Sequence, residues 1–161
     1  MKLLLSICLF LSFSNIPEIA DIRKLYPTVV ISEINAKEFA SKLANIEKEN
    51  NKTLVAYKGA SIVIMSRFKK EISEKSKNFK EGAKMIEFAM ESEPNNIEIR
   101  LIRLSIQEKA PKIVNYNKNK KEDKVFLLDH YNEQSGNLKA YIKDFILQSK
   151  SFSTAEKQTI N

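Results

Sequence analysis

The chain has 161 residues, 29% of them charged, with 27 Lys/Arg against 20 Asp/Glu, a formal net charge of +7, one histidine and one cysteine. A single histidine excludes a histidine-pair metal site, and a lone cysteine excludes an internal disulfide. The three glycines stand singly at 59, 82 and 136, which excludes a glycine-rich phosphate loop and leaves few β-hairpin turns.

Residues 1–14 read differently from the rest. Lys2 is a short positive region, Leu3 to Leu11 is an apolar run broken only by Ser6, and Ser12-Phe13-Ser14 offers small residues for a signal peptidase. The run is too short to span a bilayer. The expectation is a secretory signal cleaved after Ser14, leaving residues 15–161 as one periplasmic or secreted bacterial domain. Ile7 is too bulky for a lipoprotein cleavage site before Cys8, and the apolar run ahead of it is too short. Cys8 therefore departs with the signal, and the mature domain has no thiol for a disulfide, a thiolate metal site or a nucleophile. It keeps 26 Lys/Arg against 20 Asp/Glu. A domain of this length buries roughly 70% of its extended-chain surface, so it relies on its core.

In chain order, Asn15 to Tyr26 reads as a short helix, with Pro17 in its first turn, Ile19, Ile22 and Leu25 three apart, and Pro27 as its stop. Thr28 to Ile31 is β-branched but has no second strand to pair with. Asn35 and Glu38 form a cap pair for a helix to about Asn50, carrying Phe39, Leu43 and Ile46. Asn51-Lys52-Thr53 matches a glycosylation acceptor, which in a bacterium carries no meaning. Thr53 caps a long helix on which Leu54, Tyr57, Ser61, Ile64, Phe68 and Ile72 share a face. Gly59 costs that helix roughly 1 kcal/mol against alanine, and a close neighbouring helix compensates. Lys69 to Lys77 turns polar, and Asn78 with Glu81 opens the next helix, whose Phe79, Gly82, Met85, Ile86, Ala89 and Met90 line one face. Pro94 ends it. Asn95 and Glu98 cap a helix to Lys109 whose apolar girth predicts cover on two sides, with Arg100 and Arg103 as charges snorkelling at its margin. Ala110-Pro111 ends that helix, and Asn115 to Lys121 is a basic loop. Asn119 and Glu122 lead into Val125 to Tyr131, Ser135-Gly136-Asn137 turns, and Leu138 to Ser149 is a one-face helix. Ser153 and Glu156 cap a last turn. The pattern predicts an all-α fold of six or seven helices in stacked antiparallel hairpins.

Gly82, Ile86, Ala89 and Pro94, followed by Asn95-Asn96, fall at the spacing of the second half of a tetratricopeptide repeat (TPR), and Tyr57 to Ser61 looks like its first helix. The chain thus resembles one degenerate TPR-like repeat, with about ten extra residues between its halves relative to the roughly 34-residue period. LVAYKGAS and EPNNIEIRLIRLSIQE also resemble a group of short exported bacterial proteins. The TPR resemblance implies a helical hairpin stack that binds a peptide or partner helix; the second resemblance implies no activity.

No catalytic, cofactor or metal residue stands out. His130, beside Asp129, supplies no Ser-His-Asp order, and the carboxylates sit mostly at cap positions or beside lysines. The charge is uneven, because residues 97–161 carry twelve Lys/Arg against eight Asp/Glu. Lys109, Lys112, Lys118, Lys120, Lys121 and Lys124 cluster in sequence with Tyr116 among them, a candidate polyanion-binding patch. Export makes nucleic acid an unsuitable partner and favours anionic lipid heads or cell-surface polyanions. The leading expectation is a non-enzymatic exported module that binds an unidentified protein or peptide. Its groove falls on the polar positions of the Thr53–Phe68 and Asn95 helices. The alternatives are a polyanion or lipid-head binder and a hydrolase with two converging acids in a cleft.

Overall fold

A computed structural model describes residues 16–160. The expected signal, its cleavage at Ser14, and Cys8 lie outside the described residues. Among the described residues the fold is all-α. The helices are α1 (Ile19–Leu25), α2 (Glu33–Lys42), α3 (Lys52–Ser66), α4 (Ile72–Ser92), α5 (Ile97–Lys109), α6 (Lys120–His130), α7 (Gly136–Gln148) and α8 (Thr154–Gln158). Eight α-helices thus stand where periodicity predicts six or seven, and short 3-10 turns occupy Tyr26–Thr28, Lys112–Val114 and Tyr131–Glu133. No helix among the described residues is long and apolar enough to cross a membrane.

The centre of the fold is the α3–α4 pair. An alanine methyl placed on Gly59 would lie 2.6 Å from the Gly82 carbonyl oxygen and 2.9 Å from Ile86 Cγ1. The two glycines therefore lie against each other, and the close approach expected of Gly59 is made by Gly82. Almost all of α3 is buried, including Ser61 and Ser66, whose hydroxyls donate to the carbonyls of Lys58 and Val63 at 2.8 and 2.6 Å. Ile46 is buried although it follows the helix end. The Lys58 ammonium holds this turn by donating to the carbonyls of Ala44 and Ile46.

The two-sided cover predicted for α5 is present. Ile99, Ile102 and Ile106 enter a core shared with α1 to α4. Ile97, Leu101 and Leu104 enter a second core with Leu127, Tyr131, Ile142, Ile146, Phe152 and Ile160. In the first core Tyr26, Phe39 and Tyr57 meet with ring centroids 5.2, 5.6 and 6.1 Å apart, in tilted and edge contacts that suit aromatic quadrupoles.

Several expected caps are displaced. Asn78 does not begin a helix; α4 starts six residues earlier at Ile72. The α2 cap is Ser32, whose hydroxyl accepts from the Asn35 amide at 3.1 Å, and α2 ends at Lys42 rather than near Asn50. Asn51, not Thr53, caps α3. Asn96, not Asn95, caps α5, accepting from the amides of Glu98 and Ile99 at 3.0 and 3.2 Å. Asn119 makes no capping bond to α6. Thr28 to Ile31, which reads from its sequence as extended or as the start of the next helix, is neither: Thr28 closes the first 3-10 turn and Val29 to Ile31 is turn.

The Ser153–Glu156 pair is a complete capping box for α8. The Lys124 ammonium donates to Glu156 at 2.8 Å. Together with the Ser153 amide it holds the carboxyl pKa at about 2. Because the folded pKa is depressed, this stabilisation is present above the unfolded value of about 4.3 and is lost as pH falls through about 2. Amide shifts of Ser153 and Glu156 are expected to titrate with a midpoint near 2; a midpoint of about 4 would show that the Lys124 bond is not formed.

Candidate binding surfaces

The fold draws its strongest polar groups inward. Glu98, 4% exposed, accepts from Arg23 Nε and Nη2 at 2.8 and 2.6 Å and from the Tyr57 hydroxyl at 2.7 Å. The Glu98 bond holds the Arg23 guanidinium above its ordinary pKa against the opposing effect of burial. Glu98 therefore ties α1 and α3 to the first turn of α5, instead of completing the cap pair expected with Asn95.

Arg100 and Arg103 do not snorkel. Arg103 donates to Asp123 from Nε at 2.7 Å and from Nη2 at 2.6 Å, and to Glu87 from Nη1 at 3.0 Å. Arg100 donates to Asp123 at 3.0 Å, to Glu122 at 2.8 Å and to the Pro94 carbonyl at 2.8 Å, with its guanidinium 4.2 Å from the Phe126 centroid. Asp123 is fully buried. Burial pushes its carboxyl pKa upward, and the two guanidiniums pull it back. The side chains link α4, α5 and α6 through charge-assisted bonds. Each buried carboxylate is occupied by a guanidinium, so neither belongs to a pair of free converging acids.

Two concavities at the surface of the described residues are relevant to binding. The first is an open basin of about 550 Å³ lined by Arg100, Lys118, Lys121, Glu122, Val125, Phe126 and Asp129. It brings together two of the six candidate lysines, but places two carboxylates with them. Lys124 is engaged with Glu156. Lys109 lies at the end of α5, about 14 Å of helical rise from Arg100, and both Lys109 and Lys112 are exposed. Lys120 begins α6, half-buried. The six lysines are therefore divided among different surroundings. Tyr116 turns inward: its hydroxyl donates to Glu87, its ring meets Phe79 edge-on at 5.8 Å, and burial pushes its pKa up. It offers no stacking platform beside the lysines.

The second concavity is a groove of about 380 Å³ along α4, with Phe79, Ala83, Phe88, Val114 and Tyr116 as its apolar lining and Lys80, Lys84, Glu87 and Glu91 around it. Lys48 and Lys52 approach the Phe88 ring at 5.0 and 5.4 Å. Glu87 is already bonded to Arg103 and Tyr116, so four lysines face one uncommitted carboxylate, Glu91. Most polar positions of α3 and α5, expected to form the groove, are instead buried, namely Thr53, Ser61, Ser66, Glu98, Arg100, Arg103, Ser105 and Gln107, while Lys58 and Glu108 are half-buried and bonded to neighbouring segments. The sequence signal for the α4 groove was the i, i+4 spacing of Phe79 and Ala83, but that face first reads as core.

His130 accepts or donates at 2.8 Å to Glu133 and stacks on Phe126 at 4.1 Å, both near the surface. Among the described residues no three His, Cys, Asp or Glu side chains gather as a metal site requires. Comparison with protein-family models, curated proteins and solved structures finds no significant match to the chain.

Proposed function

We propose that the chain is a non-enzymatic, TPR-like exported module that holds a segment of a partner protein in the groove along α4. The observation that carries this is the groove itself, an apolar strip with Lys48, Lys52, Lys80 and Lys84 at its sides. An amphipathic segment with acidic flanks matches it, placing apolar residues over the half-buried Phe88 and Val114, above a floor of core Phe79 and Ala83, and carboxylates toward the lysines. The export expected from residues 1–14 is part of this proposal and puts that partner in the cell envelope or beyond.

Site-specific photo-cross-linking from position 91, on the groove's rim, in intact cell envelopes tests the reading. The expected result is one protein adduct, with affinity falling roughly 30-fold on Phe88→Ala, the loss typical of an aromatic anchor. It is also expected to fall on the Lys80→Glu/Lys84→Glu pair and to be unchanged by Lys118→Glu/Lys121→Glu in the basin. Equal capture by all four proteins would overturn it. Binding should weaken only moderately with added salt, because most of the contact is apolar.

A further inference from the structure

At the end of the α3–α4–α5 layer opposite Pro94, three chain segments meet. Arg67 to Glu71 joins α3 to α4, α5 ends at Lys109, and Ser149 and Ser151 both donate to Glu108. The α3 and α5 helices run the same way, since the Asn96 side-chain amide donates to the Thr53 hydroxyl at 3.1 Å and the Tyr57 hydroxyl to Glu98 at 2.7 Å near their starts, which places their C-terminal ends together. Phe68, Ile72 and Ile113 project here at 38%, 82% and 92% exposure. Ile113 is aimed outward by its own loop. Val114 packs on the first core, Asn115 takes a left-handed conformation at φ 49°, and Tyr116 is pinned to Phe79 and Glu87. The segments that meet here also carry Arg67, Lys69, Lys70, Lys109, Lys112 and Lys150, against Glu71, Glu74 and Glu108, and Glu108 is occupied by the two serines.

We propose that this end is a docking surface for a bilayer rich in anionic lipid, with Phe68, Ile72 and Ile113 entering the boundary between headgroups and acyl chains. The cations lie over the headgroup phosphates, and the apolar tips add the contact that a purely electrostatic surface lacks. The shape favours a bilayer over a folded partner. Phe68 and Ile72 stand at the α3–α4 turn and Ile113 on the loop after α5, and none of them lines either concavity described above, so a protein would need separate matched pockets, whereas a lipid interface accepts all three. This inference is independent of the α4 groove. It gives Lys109 and Lys112 a role with cations that are remote in sequence, Arg67, Lys69 and Lys70.

The chain has no tryptophan, so one introduced indole reports its own environment. The test uses residues 15–161, because the apolar run of residues 1–14 would partition by itself and both cores lie within 16–160. Ile113→Trp is expected to shift to shorter emission wavelength with phosphatidylglycerol vesicles at low salt and not with phosphatidylcholine vesicles. Asn95→Trp, in the turn at the opposite end, is expected to shift with neither. Adding Lys69→Gln, Lys70→Gln and Lys112→Gln, all exposed, should weaken partitioning on the order of 100-fold, at about 5-fold per lysine, with an unchanged circular dichroism spectrum. No Ile113→Trp shift, an equal shift with neutral vesicles, or an equal shift from Asn95→Trp would overturn the proposal. So would equal affinity for soluble heparin without any emission shift, which would identify a polyanion site instead.

Discussion

Replacing Gly82 with alanine is expected to destabilise the fold by about 3 kcal/mol or more, the upper range for forcing atoms into a filled core. The new methyl would sit 2.8 Å from Val63 Cγ2, 2.9 Å from the Val63 amide nitrogen, and closer still to the Gly59 carbonyl oxygen. Two of these obstacles are backbone, so no side-chain rotation relieves them. The helices must separate, which loosens the packing along the length of α3 and α4. Against a total stability of about 5–15 kcal/mol, the melting temperature should fall by roughly 6–12 °C. Gly59→Ala should act alike, and the double variant should cost less than the sum, because one separation of the helices accommodates both methyls. Gly136→Ala is the control. Nothing lies within 4 Å of its added Cβ, but its φ is 55°, so its cost is the left-handed backbone term of about 1–2 kcal/mol. Denaturant melts that place Gly82→Ala at or below Gly136→Ala in cost would contradict the close packing.

This crossing shows what local pattern carries. Gly59 inside a helix costs stability locally and so points to an outside compensation, which is why its close contact was legible; that Gly82 supplies it follows only from register. The girth of α5 announced a helix with two neighbours because no polar stripe interrupts Ile97 to Ile106. The start of α4 was hidden for the opposite reason. Ile72 falls in step with Ile64 and Phe68 and so reads as the end of the preceding helix, Ser73 to Asn78 carries no apolar residue, and a capping-type Asn-Phe-Lys-Glu inside the helix imitates a beginning. The fate of the charges was least legible. Glu98 meets Arg23 across 75 positions and Tyr57 across 41, and Arg103 meets Asp123 across 20. A charge on a helix reads as solvent-facing unless its partner is known, so local pattern exposes Arg100 and Arg103 on α5 and spends Asp123 on the first turn of α6. The same inward traffic relocated the expected groove. Most polar residues of α3 and α5 are buried, which left the outer face of α4 and the α3–α4 turn among the surfaces with unassigned apolar groups, beside Val30, Ile31 and Ile34 around the start of α2.

Removing the carboxylate of Asp123 is expected to cost about 3–5 kcal/mol, because it leaves buried guanidinium charge without its counterion. The loss should fall mainly on Arg103, which gives Asp123 two bonds at 2.7 and 2.6 Å and retains Glu87 at 3.0 Å and a long contact to Glu122 at 4.0 Å. Arg100 gives it one at 3.0 Å and keeps Glu122, the Pro94 carbonyl and the Phe126 ring. The intact cluster contributes much less than this loss, since burial opposes the charge on both Asp123 and Arg103 even as their bonds offset it. Hence the order of variants is informative. Asp123→Ala should be the least stable in chemical denaturation, and Asp123→Ala combined with Arg103→Met should recover part of the loss by removing the stranded charge. Arg100→Met added to both should recover little more. An Asp123→Ala protein within about 1 kcal/mol of the parent, as exposed ion pairs give, would show that water reaches the cluster. If the order holds, the cluster acts as a register device: it accepts α6 only where its carboxylate meets both arginines of α5, and so fixes the basin beside Phe126.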